Sequence, residues 1–305
     1  MTTSHSNRNA LSLLISLALL VGAAVTCAAS GAQVASTDAR AQGPGLTVTY
    51  IAHCGFLFSS GDQKILTDAL IEPEKEWPHD TPSPDLLKKM ELGEPPFDHI
   101  KVVLISHNHS DHHSPTDSVR LLLNNPKTVL VTTPEVRWQM AKDAPDFTKI
   151  QSQVIVPDLA WKQSITLDVN GIKLELARLK HGDDKQWASI VYAAFFEMGG
   201  KKVLFAPATH GIFPEEYVTL GYAKRGIDLA FLDYGLTIQP GPGGSAAVLN
   251  TSGIQTIREL IAPKVTTLMH VPLGSKASLE KLLPEVEREL PGTIWFRHEL
   301  ESQTF

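Results

Sequence analysis

Cysteine is almost absent: Cys27 and Cys54 are the only two in 305 residues. A disulfide framework is therefore excluded, and stability has to come from a buried core. Runs of lysine or arginine are missing too, and the formal charge is −6. A nucleic-acid surface needs a concentrated basic face to neutralise phosphates, so the expected partner is a small molecule. No internal repeat is detectable. The glycine-rich stretch QPGPGGS, Gln239 to Ser245, lacks the spaced lysine and hydroxyl residue of a phosphate-binding loop and reads as a flexible rim. What is present is 43% hydrophobic content, ample for the core of one large domain or two ordinary ones.

The longest apolar run, ALSLLISLALLVGAAV, follows a polar start carrying Arg8 and precedes the small residues TCAASGAQVAS. That order is the charged start, apolar middle and cleavage zone of a secretory signal peptide, and the run is short for a membrane span of about 20 residues. Residues 1–41 are thus expected to be a signal peptide and flexible mature start, cut after Ser30, Ala35 or Ala41. Residues 42–305 are expected to form a single domain, periplasmic or secreted, with no stable membrane insertion once the signal is removed. An uncleaved anchor is the alternative. Lipid anchoring through Cys27 is a lesser one, because Thr26 stands where lipidated sites have Gly, Ala or Ser.

After the hinge QGPG, the segment LTVTYIAHCGFLFSSGDQKILTDALI alternates apolar and polar residues around the turn SSGDQ, which predicts antiparallel strands. Glu72 to Pro96 is rich in proline and charge, too long and irregular for a simple connection, and reads as a lid or binding loop. The apolar strand IKVVLIS then runs into HNHSDHH. Beyond it, Ser114 is placed as N-cap, Pro115 as first helical residue and Asp117 as the carboxylate three positions on. Further strands are expected in TVLVTT, QVIVP, SITLDVNGIKLELARLK, ASIVYAAFFEMGGKKVLFAP, LAFLD and VTTLMHV. Helices are expected at PEVRWQMAKD, SGIQTIRELIAP and SKASLEKLLPEVEREL. Hairpins first and mixed strands and helices later suggest packed sheets covered by helices.

The histidine cluster therefore occupies a strand-to-helix loop. His107 and His109, two apart in extended chain, can share one ion, while Asp111 and His112 lie where the chain turns and can address a second. Imidazole with carboxylate suits zinc, and also iron or manganese. A solvated histidine-rich loop is the alternative, though such tracts seldom join a buried strand to a capped helix.

SHNHSDHH contains His-x-His-x-Asp-His and resembles the signature of the metallo-β-lactamase-fold hydrolases. The resemblance runs from Thr47 to about Leu273, through the opening hairpin, Asp68, His181 in RLKHGDD and His270 in TTLMHVP. It implies an α/β fold, an αβ/βα four-layer sandwich, with metals at the edge where strand-end loops meet. It also implies a first ion on His107, His109 and His181 and a second on Asp111, His112 and His270. Where that family carries a bridging aspartate, Pro207 and Ala208 stand here. Two zinc ions are expected, with one as the alternative because of Ala208. His210 is either a substitute ligand or a solvent-facing loop residue, and Thr209 could hydrogen-bond a metal water. Asp68 is expected to orient a ligand from behind.

His53, in IAHCGF, resembles a histidine of the branch holding ascorbate-phosphate lactonases and phospholipase D-type hydrolases of N-acyl ethanolamine lipids. It is either a strand histidine, a support for a ligand or a substrate-facing group. Trp77, His79, Asp233 and Tyr234 are pocket candidates. The implied activity is hydrolysis of a small ester, lactone or phosphodiester by metal-bound hydroxide, with Asp111 orienting the nucleophile. A β-lactam hydrolase is the competing substrate class, and a non-catalytic extracytoplasmic zinc-binding protein the competing kind of function.

Overall fold

Alternation in the opening segment builds three antiparallel strands: β1 (Thr47–Ala52), β2 (Gly55–Ser60) and β3 (Gln63–Thr67). In β2, Phe56 and Phe58 face one side while Leu57 faces the other, as a period of two demands. The β2–β3 turn passes through Gly61 at φ +59°, a left-handed position that glycine adopts without steric cost. The computed structural model describes residues 44–75, 78–182, 189–207, 213–233, 237–239, 248–271 and 273–305.

The chain continues through α1 (Pro84–Leu92), β4 (Val102–Leu104), α2 (Pro115–Asn124), β5 (Val129–Val131), α3 (Pro134–Asp143), α4 (Phe147–Ile150) and β6 (Val154–Ile155). Next come β7 (Ser164–Val169), β8 (Ile172–Lys180), β9 (Ile190–Met198), β10 (Lys201–Ala206), α5 (Pro214–Thr219), β11 (Leu229–Asp233), β12 (Thr237–Gln239) and β13 (Val248–Asn250). The last elements are α6 (Ser252–Ile261), β14 (Val265–Met269), α7 (Leu273–Glu289), β15 (Thr293–Ile294) and β16 (Ser302–Thr304).

Two seven-stranded sheets result, in the orders β16-β1-β2-β3-β4-β5-β6 and β15-β14-β11-β10-β9-β8-β7. Each is antiparallel in one half and parallel in the other. Three apolar layers separate four structural ones. Phe56, Phe58, Phe196, Phe205 and Phe231 fill the space between the sheets. Leu57, Leu66, Val103 and Leu130 pack outward against α1 to α4. On the far side Leu204, Ala230 and Leu268 pack against α5 to α7. This is the expected four-layer sandwich.

Helix α2 starts as expected: Ser114 Oγ accepts from the Asp117 N–H at 3.4 Å, with Pro115 at the first helical position. Ser83 and Thr133 cap α1 and α3 in the same way. Helix α1 corrects the expectation of an irregular connection from Glu72 to Pro96. It buries Leu86 and Met90 behind a Ser83 cap and Pro84, a pattern masked by the prolines and charges that lead into it. The terminal strand β16 was also hidden, because its residues are polar and exposed. It pairs with β1 through its backbone.

Because β1, β3, β4, β8, β10, β11 and β14 all end at one edge of the sandwich, the loops that follow them meet there. Ligand sites in open α/β sheets form beyond such strand ends.

Candidate metal centre

Eight side chains gather at this edge. His53 follows β1, Asp68 follows β3, and His107, His109, Asp111 and His112 follow β4. His181 follows β8 and His270 follows β14. The ligand atoms of His107, His109 and His181 lie within 4.8 Å of one another, and so do those of His107, Asp111 and His112. A third group contains His53, Cys54, His112 and His270. The structure thus brings together all six residues expected as ligands, and adds His53. His210, Ala208, Thr209, Trp77, Tyr234, most of the 239–245 rim and the leader with Cys27 lie outside the described residues.

A relay behind the cluster decides which nitrogen of each ring faces inward. Ser106 Oγ donates to Asp68 Oδ2 at 2.6 Å, so it accepts from His107 Nδ1, 3.0 Å away. The same Asp68 oxygen lies 2.8 Å from His112 Nδ1, and Asp68 Oδ1 accepts the Ser106 backbone N–H at 2.8 Å. Both rings then carry their proton on Nδ1 and turn Nε2 inward. Those two Nε2 atoms are buried without a hydrogen-bond partner among the described residues. Ser189 Oγ lies 3.1 Å from His109 Nε2. Asp233 Oδ2 is 3.6 Å from His270 Nδ1.

The electrostatics fit this picture. Burial and neighbouring imidazoles hold His107 and His112 well below the ordinary imidazole value, so both are neutral lone-pair donors. Burial and His270 push His53 down to about 3. Burial alone would raise Asp111, but His112, His270 and His53 around it hold the carboxyl well below the usual range. Burial pushes Asp68 up to about 8 against the hydrogen bonds from Ser106. Asp68 and His112 share one proton, whichever partner is assigned it.

His270 Nε2 approaches Asp111 Oδ2 at 3.0 Å, and His112 Nε2 approaches it at 3.6 Å. Against burial, Asp233 and Asp111 hold His270 above the ordinary imidazole value, so it can donate to that oxygen, but His112 has its Nδ1 committed to Asp68 and sets an Nε2 lone pair against the carboxylate. A cation resolves that repulsion, so the donor set fits a pair of metal ions. Its nitrogen-rich composition suits zinc or a similar transition metal better than magnesium or calcium.

Cys54 enters the third group geometrically, yet it is fully buried and burial pushes its thiol up, away from the thiolate that ligates metal. It takes a hydrogen bond from the His270 backbone N–H and so braces that residue. The segment after Ile71 is fastened across the cluster. Glu72 N–H donates to Ser110 O, Ser114 Oγ donates to Glu72 Oε1, and Ser110 Oγ donates to Glu74 Oε2. His79, buried, sets its ring 5.1 Å from that of His53.

Sequence reasoning missed Ser106, Ser189 and the pairing of Asp233 with His270. Ser106 directly precedes the motif, and Asp233 ends an apolar strand beside β14, so position alone could have suggested both. Ser189 carried no signal, since its contact depends on how β9 begins.

A family model described as the beta-lactamase superfamily domain matches residues 63–271. No curated protein matches the sequence significantly. Among solved structures, a metallo hydrolase from the archaeon Ignicoccus hospitalis is 18% identical, covering 85% of this chain and 98% of that one at a TM-score of 0.53. The metallo-beta-lactamase fold protein YhfI from Bacillus subtilis is 16% identical, covering 86% and 100% at 0.55. An isothiocyanate hydrolase from Delia radicum gut bacteria is 15% identical, covering 85% and 99% at 0.51. At these identities the likeness is one of fold.

Proposed function

Because the chain belongs to the beta-lactamase superfamily domain family, we propose that it is an exported metal-dependent hydrolase that cleaves a small ester, lactone or phosphodiester. The observation that carries this reading is the convergence of neutral imidazole nitrogens and one ionised carboxylate in two adjoining sets. His107, His109 and His181 would hold a first zinc ion; Asp111, His112 and His270 would hold a second. When bound, zinc supplies Lewis acidity for a carbonyl or phosphoryl oxygen and brings the pKa of a coordinated water to about 7.

The chain's own residues set the geometry. Asp68 and Ser106 lock the tautomers of His107 and His112, and Ser189 and Asp233 orient His109 and His270. Asp111, held ionised by the surrounding imidazoles, would orient the attacking water. Glu72 and Glu74, tied to Ser114 and Ser110, and the buried His79 wall one side.

IAHCGF and LISHNHSDHH favour the ascorbate-phosphate lactonase and N-acyl ethanolamine phospholipase D-like branch as the source of the substrate class. The apolar leader in residues 1–41 supports export, with residues 42–305 as the mature domain in the periplasm or outside the cell. Among the described residues no helix is long and apolar enough to cross a membrane.

The test is a hydrolysis panel on zinc-reconstituted protein, with a nitrophenyl ester, an acyl lactone, a phosphodiester and a β-lactam. Turnover of one of the first three, abolished by chelation and cut at least about 100-fold in His107→Ala and Asp111→Ala, is expected. Turnover of the β-lactam alone overturns the substrate class. Tightly bound zinc with no turnover of any of the four overturns catalysis and leaves a metal-binding protein.

A further inference from the structure

Three imidazoles from three separate segments bring Nε2 to a single oxygen, Oδ2 of Asp111. His270 stands at 3.0 Å, His53 at 3.3 Å and His112 at 3.6 Å. Zinc holds nitrogen and oxygen ligands at about 2.0–2.2 Å in a tetrahedron, which keeps ligand atoms about 3.3 Å apart. The three contacts bracket that spacing. The ligand atoms of His53, His112 and His270 also lie within 4.8 Å of one another.

His53 is held there at some expense. Its side chain is 3% exposed, and its Nδ1 has no hydrogen-bond partner among the described residues. Its backbone sits at φ +48°, a left-handed conformation that disfavours a non-glycine residue by about 1–2 kcal/mol. That turn, directly after β1, brings the ring to 4.4 Å from His270 and 5.1 Å from His79. Such strain persists where surrounding structure enforces it, commonly at functional sites.

Resting on the two-ion reading above, we propose that His53 is a direct ligand of the second ion. That ion is then held by His53, His112, His270 and the Asp111 carboxylate. Four protein ligands close a tetrahedral site, whereas three leave a position open. The exchangeable position accordingly belongs to the first ion, on His107, His109 and His181, and the second ion is retained through turnover.

The experiment is calorimetric titration of metal-free protein with zinc, paired with visible spectra of the cobalt(II) form, for wild type, His53→Gln and His53→Asn. Glutamine keeps a donor for Asp111 without an imidazole. Asparagine tolerates the left-handed backbone. The metal-free variants are first checked for wild-type melting, and either one that passes suffices. Wild type is expected to bind two ions. Both variants keep the first at wild-type affinity and bind the second about 100-fold more weakly or worse, with a cobalt spectrum altered at the second equivalent only.

Two ions bound by His53→Gln with wild-type affinity and spectrum would make His53 a hydrogen-bond donor to Asp111, overturning this inference and leaving the two-ion reading intact. Fewer than two ions in wild type overturns both.

Discussion

Oδ2 of Asp68 lies 2.8 Å from Nδ1 of His112, with both side chains fully buried and 44 residues apart in sequence. The same oxygen accepts from Ser106 Oγ at 2.6 Å, and Ser106 Oγ in turn accepts from His107 Nδ1. One carboxylate therefore fixes the tautomer of an imidazole in each proposed metal site. Removing such a support commonly lowers metal affinity about 10–100-fold. Asp68→Asn is expected to weaken both ions by that order and to lower hydrolysis with them. The left-handed backbone at Asp68, φ +37°, accommodates asparagine, so the fold should survive. Zinc titration decides: affinities within twofold of wild type, on the scale of about 0.4 kcal/mol, would remove Asp68 from this role.

How much of this was legible beforehand differs from residue to residue. His107, His109, Asp111 and His112 could be read because they lie within six residues between an apolar strand and a capped helix. His181 and His270 needed the family resemblance, since each is a lone histidine at a strand end. Their meeting depends on β8 and β14 sharing an edge with β4, which is a property of the whole sheet order. His53 remained ambiguous for the same reason: local sequence shows a histidine after a strand, and only tertiary structure shows Asp111 at 3.3 Å. Helix α2 was visible, with Ser114, Pro115 and Asp117 in its cap positions. Helix α1 has a similar Ser83-Pro84 start but follows a run of prolines and charges that hid it.

Asp228 offers a test of stability away from the metals. Its Oδ2 accepts the Lys202 backbone N–H at 2.8 Å and its Oδ1 accepts from Lys264 Nζ at 2.7 Å, joining the entries to β10 and β14. Burial pushes this carboxyl up, but the two donors outweigh burial and set it below its ordinary value. The unfolded chain therefore binds more protons in the acid range. The stabilisation is present above about pH 4 and is lost as pH falls through the folded value. Asp228→Asn should lower stability by about 1 kcal/mol or less at pH 7, given that Lys264 is exposed. Melting curves from pH 7 to 3 should show the gap between wild type and variant closing on the acid side. A gap that widens as pH falls would reverse the assigned sign.

Metal removal should cost stability, because the proposed ions would bind only the assembled site. At free zinc about a thousandfold above Kd, linkage gives about 4 kcal/mol, on the order of 10 °C for a domain of this size. Calorimetry of chelated and reconstituted protein measures the shift. A Tm indifferent to zinc would mean that the imidazoles do not hold it in the native state.

The two remaining supports separate the ions. Ser189 Oγ, 3.1 Å from His109 Nε2, contacts the first set; Asp233 Oδ2, 3.6 Å from His270 Nδ1, contacts the second. Ser189→Ala should therefore weaken the first ion and Asp233→Asn the second, each about 10-fold, as for other groups that orient metal-binding histidines. Asp233 is buried at the end of β11, and asparagine preserves its volume while reducing its capacity to accept. Stepwise zinc titration resolves the two affinities. If either variant weakened both ions equally, the sites would be coupled through more than the Asp68 relay, and the assignment of one support to one ion would fail.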